Sequence, residues 1–197
     1  MGSQLTEEEI SLRKKALRAE MRLKMQALPD GAAKASGERI MRDVLDSAWY
    51  REAKSVFIYV SVGKEPDTHA LIRAALRDGK EVYVPRCREK PVMDAVRIFS
   101  ADELRPGVFG IPEPAADGPR PDAVGLAVVP CVSVSPRGDR LGHGGGYYDA
   151  FLSGHPCRTV CLCHKTLMSR DIPAGSRDVP VDAVAFGEGL ILCRRDC

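Results

Sequence analysis

Ser55-Val-Phe-Ile-Tyr-Val-Ser61 is an unbroken apolar run rich in β-branched and aromatic residues, the composition of a strand buried on both faces. A polar loop follows, Val62-Gly-Lys-Glu-Pro-Asp-Thr68. Asp67 or Thr68 can cap a helix over residues 69–77, which Asp78-Gly79 stops. Residues 80–85 read as a second strand. Strand, helix and strand joined by short connections predict a parallel βαβ unit, and so an α/β fold with a mostly parallel central sheet. Ligands in such sheets bind beyond the carboxyl ends of the strands. Glu65 lies there, although a lone loop carboxylate reads first as ordinary surface.

Upstream, Leu5-Thr-Glu-Glu-Glu-Ile10 opens a helix with a capping box, Thr6 as N-cap and Glu9 three residues on. Leu5 and Ile10 are placed to form the hydrophobic staple. Leu17, Met21, Met25 and Leu28 continue the apolar stripe at helical spacing until Pro29-Asp30-Gly31. Lys14 and Arg18 share one face and flank that stripe; for two helix cations a solvated face is the plain reading. A second helix is expected over residues 33–49, with Ile40, Val44, Leu45 and Ala48 inward.

Downstream, residues 93–100 read as a strand and residues 104–114, dense in proline and glycine, as a rigid loop. Residues 115–121 are a surface linker. An apolar strand over 124–130 then leads, through residues 131–139, into Arg140-Leu-Gly-His-Gly-Gly-Gly-Tyr-Tyr-Asp149. Glycine permits close backbone approach to a ligand, and the short helical run over 147–152 presents its free N–H groups to the same place. Strand, glycine loop and helix form a phosphate-binding arrangement. The spacing matches neither a P-loop nor a dinucleotide fingerprint, and a tight structural turn is the competing reading. Arg140, the two tyrosines and Asp149 favour the cradle: a cation for phosphate, rings for stacking, a carboxylate for Mg²⁺. Strands over 157–163, 181–186 and 189–192 complete the chain.

Composition sets the bounds. A chain of 197 residues with net charge +2 and no basic block fits one domain, residues 1–197, with no nucleic-acid partner. No apolar stretch reaches membrane-spanning length and no apolar leader opens the chain. Seven cysteines, an odd number, fit free thiols in a reducing compartment, so a cytoplasmic location is expected; a monomer is a separate expectation, not read from any residue pattern. His155, Cys157, Cys161, Cys163 and His164 crowd together, which raises zinc. The spacing fits no C-x-x-C pair, and strand alternation puts Cys161 and Cys163 on one face, so core packing is the preferred reading.

Taken in order, Lys14-x-x-x-Arg18, the strand followed by Glu65, Gly110-Ile-Pro-Glu-Pro114, R-L-G-x-G-x-G-Y-Y-D at 140–149 and D-x-x-V-D at 178–182 resemble the signature of the 5-formyltetrahydrofolate cyclo-ligases, also called 5,10-methenyltetrahydrofolate synthetases. That resemblance implies a three-layer, Rossmann-like sandwich with an N-terminal helical pair. It also implies ATP- and Mg²⁺-dependent closure of 5-formyltetrahydrofolate to 5,10-methenyltetrahydrofolate, with ADP and phosphate released. By the same match, ATP falls to Lys14 and Arg18 with Arg140, Leu141, Gly142, His143, Gly144, Gly145, Gly146, Tyr147 and Tyr148. The reduced folate falls to Val60 and Glu65 with His143, Gly144, Gly145, Gly146 and Tyr147. Asp149 and Asp178 take Mg²⁺, Asp182 is structural, and Arg140 and Tyr147 are the catalytic candidates. One departure is visible: many members carry Arg or Lys at one or both variable loop positions, where this chain has His143 and Gly145. Three other readings predict different behaviour. An ATP-dependent enzyme with another acceptor predicts ATP binding without folate turnover. A silent nucleotide or folate binder predicts ligand-induced stabilisation without ADP release, and a sugar-phosphate or CoA-transferase type predicts no ATP dependence.

Overall fold

Strand β1 (Ser55–Ile58) runs parallel to β2 (Glu81–Cys87) on one side and to β6 (Leu126–Val129) on the other. In the computed structural model, which describes residues 5–107 and 110–193, these strands centre a seven-stranded sheet. Beyond β2 lies β3 (Met93–Ile98), antiparallel. Beyond β6 lie β9 (Arg158–Leu162) and β10 (Ala183–Ala185), both parallel, and then β11 (Leu190–Leu192), antiparallel. The spatial order is β11-β10-β9-β6-β1-β2-β3. The chain leaves β1 toward β2 and leaves β6 toward β9. The carboxyl ends of β1 and β6 therefore flank the switch point where such sheets open a crevice.

Side chains alternate cleanly between two cores. Val56, Ile58, Leu126, Val128, Val160 and Leu162 face one side, where they meet Ile40 and Val44 of α2 (Asp30–Leu45), Tyr50 of α3 (Ala48–Glu52) and Leu71 and Ile72 of α4 (Thr68–Arg77). Phe57, Ala127, Val129, Cys161 and Cys163 face the other, against Met21 of α1 (Glu7–Ala27) and Phe151 and Leu152 of α5 (Tyr147–Gly154). The three-layer sandwich follows. Each fully buried aliphatic or aromatic side chain contributes roughly 1.5–3 kcal/mol, so the two cores hold the layers together. Among the described residues no helix is long and apolar enough to cross a membrane.

Local chemistry sets the element ends. The capping box on α1 forms in full: Glu9 N–H donates to Thr6 Oγ1 at 3.2 Å, and Thr6 N–H donates to the Glu9 carboxylate at 2.8 Å. At α4 it is Asp67 that caps, accepting from His69 N–H at 2.9 Å. Thr68 instead turns inward and exchanges two bonds with Ser61, at 2.9 and 3.0 Å. The helix expected over 33–49 is in fact two. It begins earlier, at Asp30, and breaks after Leu45, because Ser47 Oγ donates to Val44 O at 2.6 Å and accepts from Tyr50 N–H at 3.1 Å. A serine that bonds the local backbone this way ends one helix and caps the next.

Two further segments carry pairing that the reading as loops did not anticipate. Strands β4 (Leu104–Pro106) and β5 (Pro112–Pro114) form a separate antiparallel ribbon. A two-stranded ribbon is all edge, which is where proline is tolerated. Residues 131–139, expected as a connection, carry β7 (Ser133–Val134), which pairs antiparallel with β8 (Arg140–Leu141). The hairpin turns at Gly138, whose φ of 96° and tight seat against the Val181 carbonyl exclude a side chain. This hairpin carries the chain from the end of β6 out to the glycine loop.

Candidate active site

The glycine loop lies between β8 and α5. Gly144 and Gly146 hold φ of 98° and 77°, a region that other residues enter at a cost. Gly146 is the N-cap of α5, and its carbonyl accepts from Ala150 N–H at 3.0 Å. Gly145 has no room beside it: a Cβ there would lie 2.7 Å from Cδ2 of the Tyr147 ring. His143 and Gly144 are exposed, Leu141 is buried, and Tyr147 and Tyr148 are partly buried. Leu141 can therefore offer a ligand little but its backbone.

Helix α1 crosses to this loop. Arg18 Nε donates to the Gly142 carbonyl at 2.8 Å, and its guanidinium lies 3.5 Å from where a Gly144 Cβ would stand. One turn earlier, Lys14 forms an ion pair with Asp178. Burial and the neighbouring Arg22 lower the Arg18 pKa, while Asp178 and Asp149 oppose the shift; Arg18 remains a cation. The two cations expected to be solvated on their own account are thus among the contacts through which α1 meets the loops of the site.

The carboxylates come from two other elements. Asp149, in the first turn of α5, accepts at Oδ1 from Arg140 Nη2 at 2.8 Å and from Val179 N–H at 3.2 Å. Asp178 accepts at Oδ2 from Lys14 and from Gly175 N–H at 2.5 Å. The segment carrying Asp178 is held to α1 as well, because Ser176 Oγ donates to Glu7 at 3.2 Å. Arg140 is not an exposed cation at the loop entrance: its side chain is 2% exposed, Nη1 points toward the Pro130 carbonyl, and the guanidinium lies 5.7 Å from the Tyr148 ring centre. Its buried Nε has no hydrogen-bond partner. A cleft of about 200 Å³ is lined by Arg140 and Asp178 together with Ile172, Pro173 and Pro180.

Each aspartate keeps its second oxygen outside these bonds, and Arg18 feels the charge of both. Among the described residues no cluster of three or more His, Cys, Asp or Glu could hold a metal by itself. Two carboxylates beside a phosphate cradle suit Mg²⁺, which fills its shell with phosphate oxygens and water. The donor set fits that ion.

On the other side of the crevice, Val60 ends the buried extension of β1 and packs in the core. Glu65 Oε2 accepts from Val62 N–H at 2.9 Å, and Oε1 lies 3.4 Å from His143 Nε2. The loop after β1 and the glycine loop after β8 therefore meet through Glu65 and His143, two of the residues that the resemblance allots to the folate. Burial, followed by the charge of Glu65, raises the Tyr148 pKa and keeps its hydroxyl protonated. A roomier groove of about 450 Å³ lies between α2 and the 63–67 loop and includes Glu65, but none of the glycine loop. Burial raises the Cys161 thiol well above its ordinary pKa, so it is a poor nucleophile.

Sequence reading missed three supports of this site: the 131–141 hairpin, the clasp around Asp178, and His164, which reaches the loop of Glu65. The turn Ser135-Pro-Arg-Gly-Asp139 between alternating apolar residues was the available signal for the first. Nothing local signals the other two.

Residues 10–187 match the 5-formyltetrahydrofolate cyclo-ligase family. A probable 5-formyltetrahydrofolate cyclo-ligase of Caenorhabditis elegans is 32% identical, over 90% of this chain and 96% of that protein. A probable 5-formyltetrahydrofolate cyclo-ligase of Schizosaccharomyces pombe is 29% identical, over 92% and 98%. Among solved structures, the 5,10-methenyltetrahydrofolate synthetase of Aquifex aeolicus superposes with a TM-score of 0.82 at 26% identity, covering 93% of this chain and 94% of that one.

Proposed function

The chain belongs to the 5-formyltetrahydrofolate cyclo-ligase family, and from that premise we propose that it closes 5-formyltetrahydrofolate to 5,10-methenyltetrahydrofolate at the expense of ATP. The formyl oxygen takes the γ-phosphoryl group of ATP and releases ADP. N10 then attacks the activated carbon, and phosphate leaves as the ring closes. Such a sequence needs no protein nucleophile. It needs positioning and charge.

One observation carries the reading: Arg18 is bonded to the glycine loop while two fixed carboxylates lie within its electrostatic reach. Cation, anion cradle and paired carboxylates are what a nucleotide triphosphate and its metal require. Asp149 and Asp178 would hold Mg²⁺, which supplies neutralisation of phosphate charge. Lys14 and Arg18 bring positive charge beside the phosphates, and the glycine backbone supplies N–H donors. Arg140, buried against Asp149, orients that carboxylate. Tyr147, Glu65 and His143 border the folate side.

Counting products tests the proposal. One ADP released per methenyltetrahydrofolate formed is expected. ATP binding with neither ring closure nor folate-dependent ADP release would favour an ATP-dependent enzyme with another acceptor.

A further inference from the structure

His164 is a buried histidine outside the motifs that mark the site. It follows β9, is 2% exposed, and joins two elements distant in sequence. Its Nδ1 lies 2.9 Å from Ser36 Oγ on α2, and its Nε2 lies 2.9 Å from the carbonyl oxygen of Lys64. A carbonyl only accepts, so Nε2 carries the proton. In the neutral ring Nδ1 then accepts from the Ser36 hydroxyl. Burial lowers the His164 pKa, and its bond to Lys64 opposes the shift in part, which agrees with a neutral ring.

Lys64 directly precedes Glu65. The turn is tight: Glu65 N–H donates to the Val62 carbonyl at 3.2 Å, and Gly63 sits at φ 59°. From the opposite side, Lys64 Nζ donates to the carbonyls of Gln26 and Leu28 at the end of α1, at 3.0 and 2.6 Å. Tyr59 Oη donates to the Pro66 carbonyl at 3.2 Å. The short loop is thus tied to α1 by the lysine head and to β9 and α2 by the histidine ring. Of these ties, the ring's is the one made to the peptide directly before Glu65, at the Lys64 carbonyl.

The geometry points to His164 as a positioning residue that fixes the Glu65 loop for substrate, with Ser36 holding the ring in its tautomer. The assignment rests on the folate reading of Glu65 given above. The chemistry is that of a histidine that orients a backbone and, through it, a ligand group. It touches no substrate itself.

His164→Phe keeps an aromatic volume and removes both bonds; His164→Gln keeps a donor for the Lys64 carbonyl. The full chain of each would be compared with the wild type by hydrogen–deuterium exchange over residues 62–66 and by steady-state kinetics. The expected result for His164→Phe is faster exchange in that segment and a KM for 5-formyltetrahydrofolate raised about tenfold, the loss of one useful hydrogen bond. KM for ATP stays within about twofold. His164→Gln recovers part of the folate KM, and Ser36→Ala shifts it in the same direction as His164→Phe but less. Unchanged exchange in a folded His164→Phe overturns the tether. Faster exchange with an unchanged folate KM, or with both KM values raised alike, overturns the positioning role. Failure of the folate reading looks different: the wild type itself neither binds nor turns over 5-formyltetrahydrofolate, while the exchange experiment still decides the tether.

Discussion

Arg18 Nε donates to the Gly142 carbonyl oxygen across 2.8 Å, joining α1 to the glycine loop over 124 positions of sequence. The bond uses a carbonyl and leaves the loop's N–H groups to a ligand. It also brings a cation beside Gly144, where the proposed function puts a phosphate. Hydrogen bonds from charged donors contribute about 1.5–3 kcal/mol, so this contact both shapes the loop and charges it.

Arg18→Ala should therefore raise KM for ATP by roughly 10- to 100-fold, while KM for 5-formyltetrahydrofolate changes much less. Arg18→Lys should recover only part of that, because an ammonium cannot reproduce the directional Nε bond. Steady-state titration of each substrate at saturating levels of the other checks the split. Equal effects on both substrates would contradict a nucleotide-side role.

Asp178 and Asp182 stand four residues apart and should part company experimentally. Asp182 Oδ2 accepts from Thr159 N–H at 2.9 Å and from its hydroxyl at 2.8 Å, while Thr159 Oγ1 accepts from Asp182 N–H at 2.8 Å. That closed loop of bonds ties β10 to β9. Asp182→Ala should lower stability by about 2–3 kcal/mol, read as a shift in the urea midpoint, with kcat of the folded protein little changed. Asp178→Asn should do the reverse, removing turnover with a midpoint near that of the wild type.

Two adjacent glycines should respond differently. Gly146 sits at φ 77°, so Gly146→Ala should cost roughly 1–2 kcal/mol of stability. In Gly145→Ala the backbone is not strained in this way, but the new methyl meets the Tyr147 ring at 2.7 Å. That variant should melt close to the wild type and turn over more slowly, as the ring is displaced. Paired thermal melts and rates check both.

The burial of His164 carries a pH signature. Its pKa is lowered in the folded protein from the ordinary value of 6.5. Below pH 6.5 the unfolded chain binds a proton that the folded one resists, so stability present above that pH is lost as pH falls toward the folded pKa. Urea midpoints between pH 7 and 5 should fall more steeply for the wild type than for His164→Phe. Parallel slopes would contradict a neutral buried ring.

Much of this was legible in the sequence, and the reasons are physical. The buried run at 55–61 announced a strand covered on both faces, and Val56 and Phe57 do face opposite cores. The box of Thr6 and Glu9 fixed the start of α1. Cys161 and Cys163 lie on one face with Leu162 opposite, as alternation requires. What escaped depends on contacts between distant parts of the chain. Ser47 breaks a helix because its hydroxyl finds Val44 O and Tyr50 N–H, a choice that periodicity does not reveal. Arg140 looks like an exposed phosphate cation until Asp149 and Tyr148 bury it. The meeting of His143 with Glu65 arises only once β1 and β6 lie side by side.

The most direct measurement is near-ultraviolet absorbance, where methenyltetrahydrofolate differs from its formyl precursor. Protein would be mixed with 5-formyltetrahydrofolate and Mg²⁺, with and without ATP, beside a folded Asp149→Asn variant. The expected result is a rise that depends on ATP and slows at least about a hundredfold in the variant, about 2.7 kcal/mol of lost transition-state stabilisation. A flat trace from folded wild-type protein that binds ATP, or an undiminished rate in the variant, would contradict it.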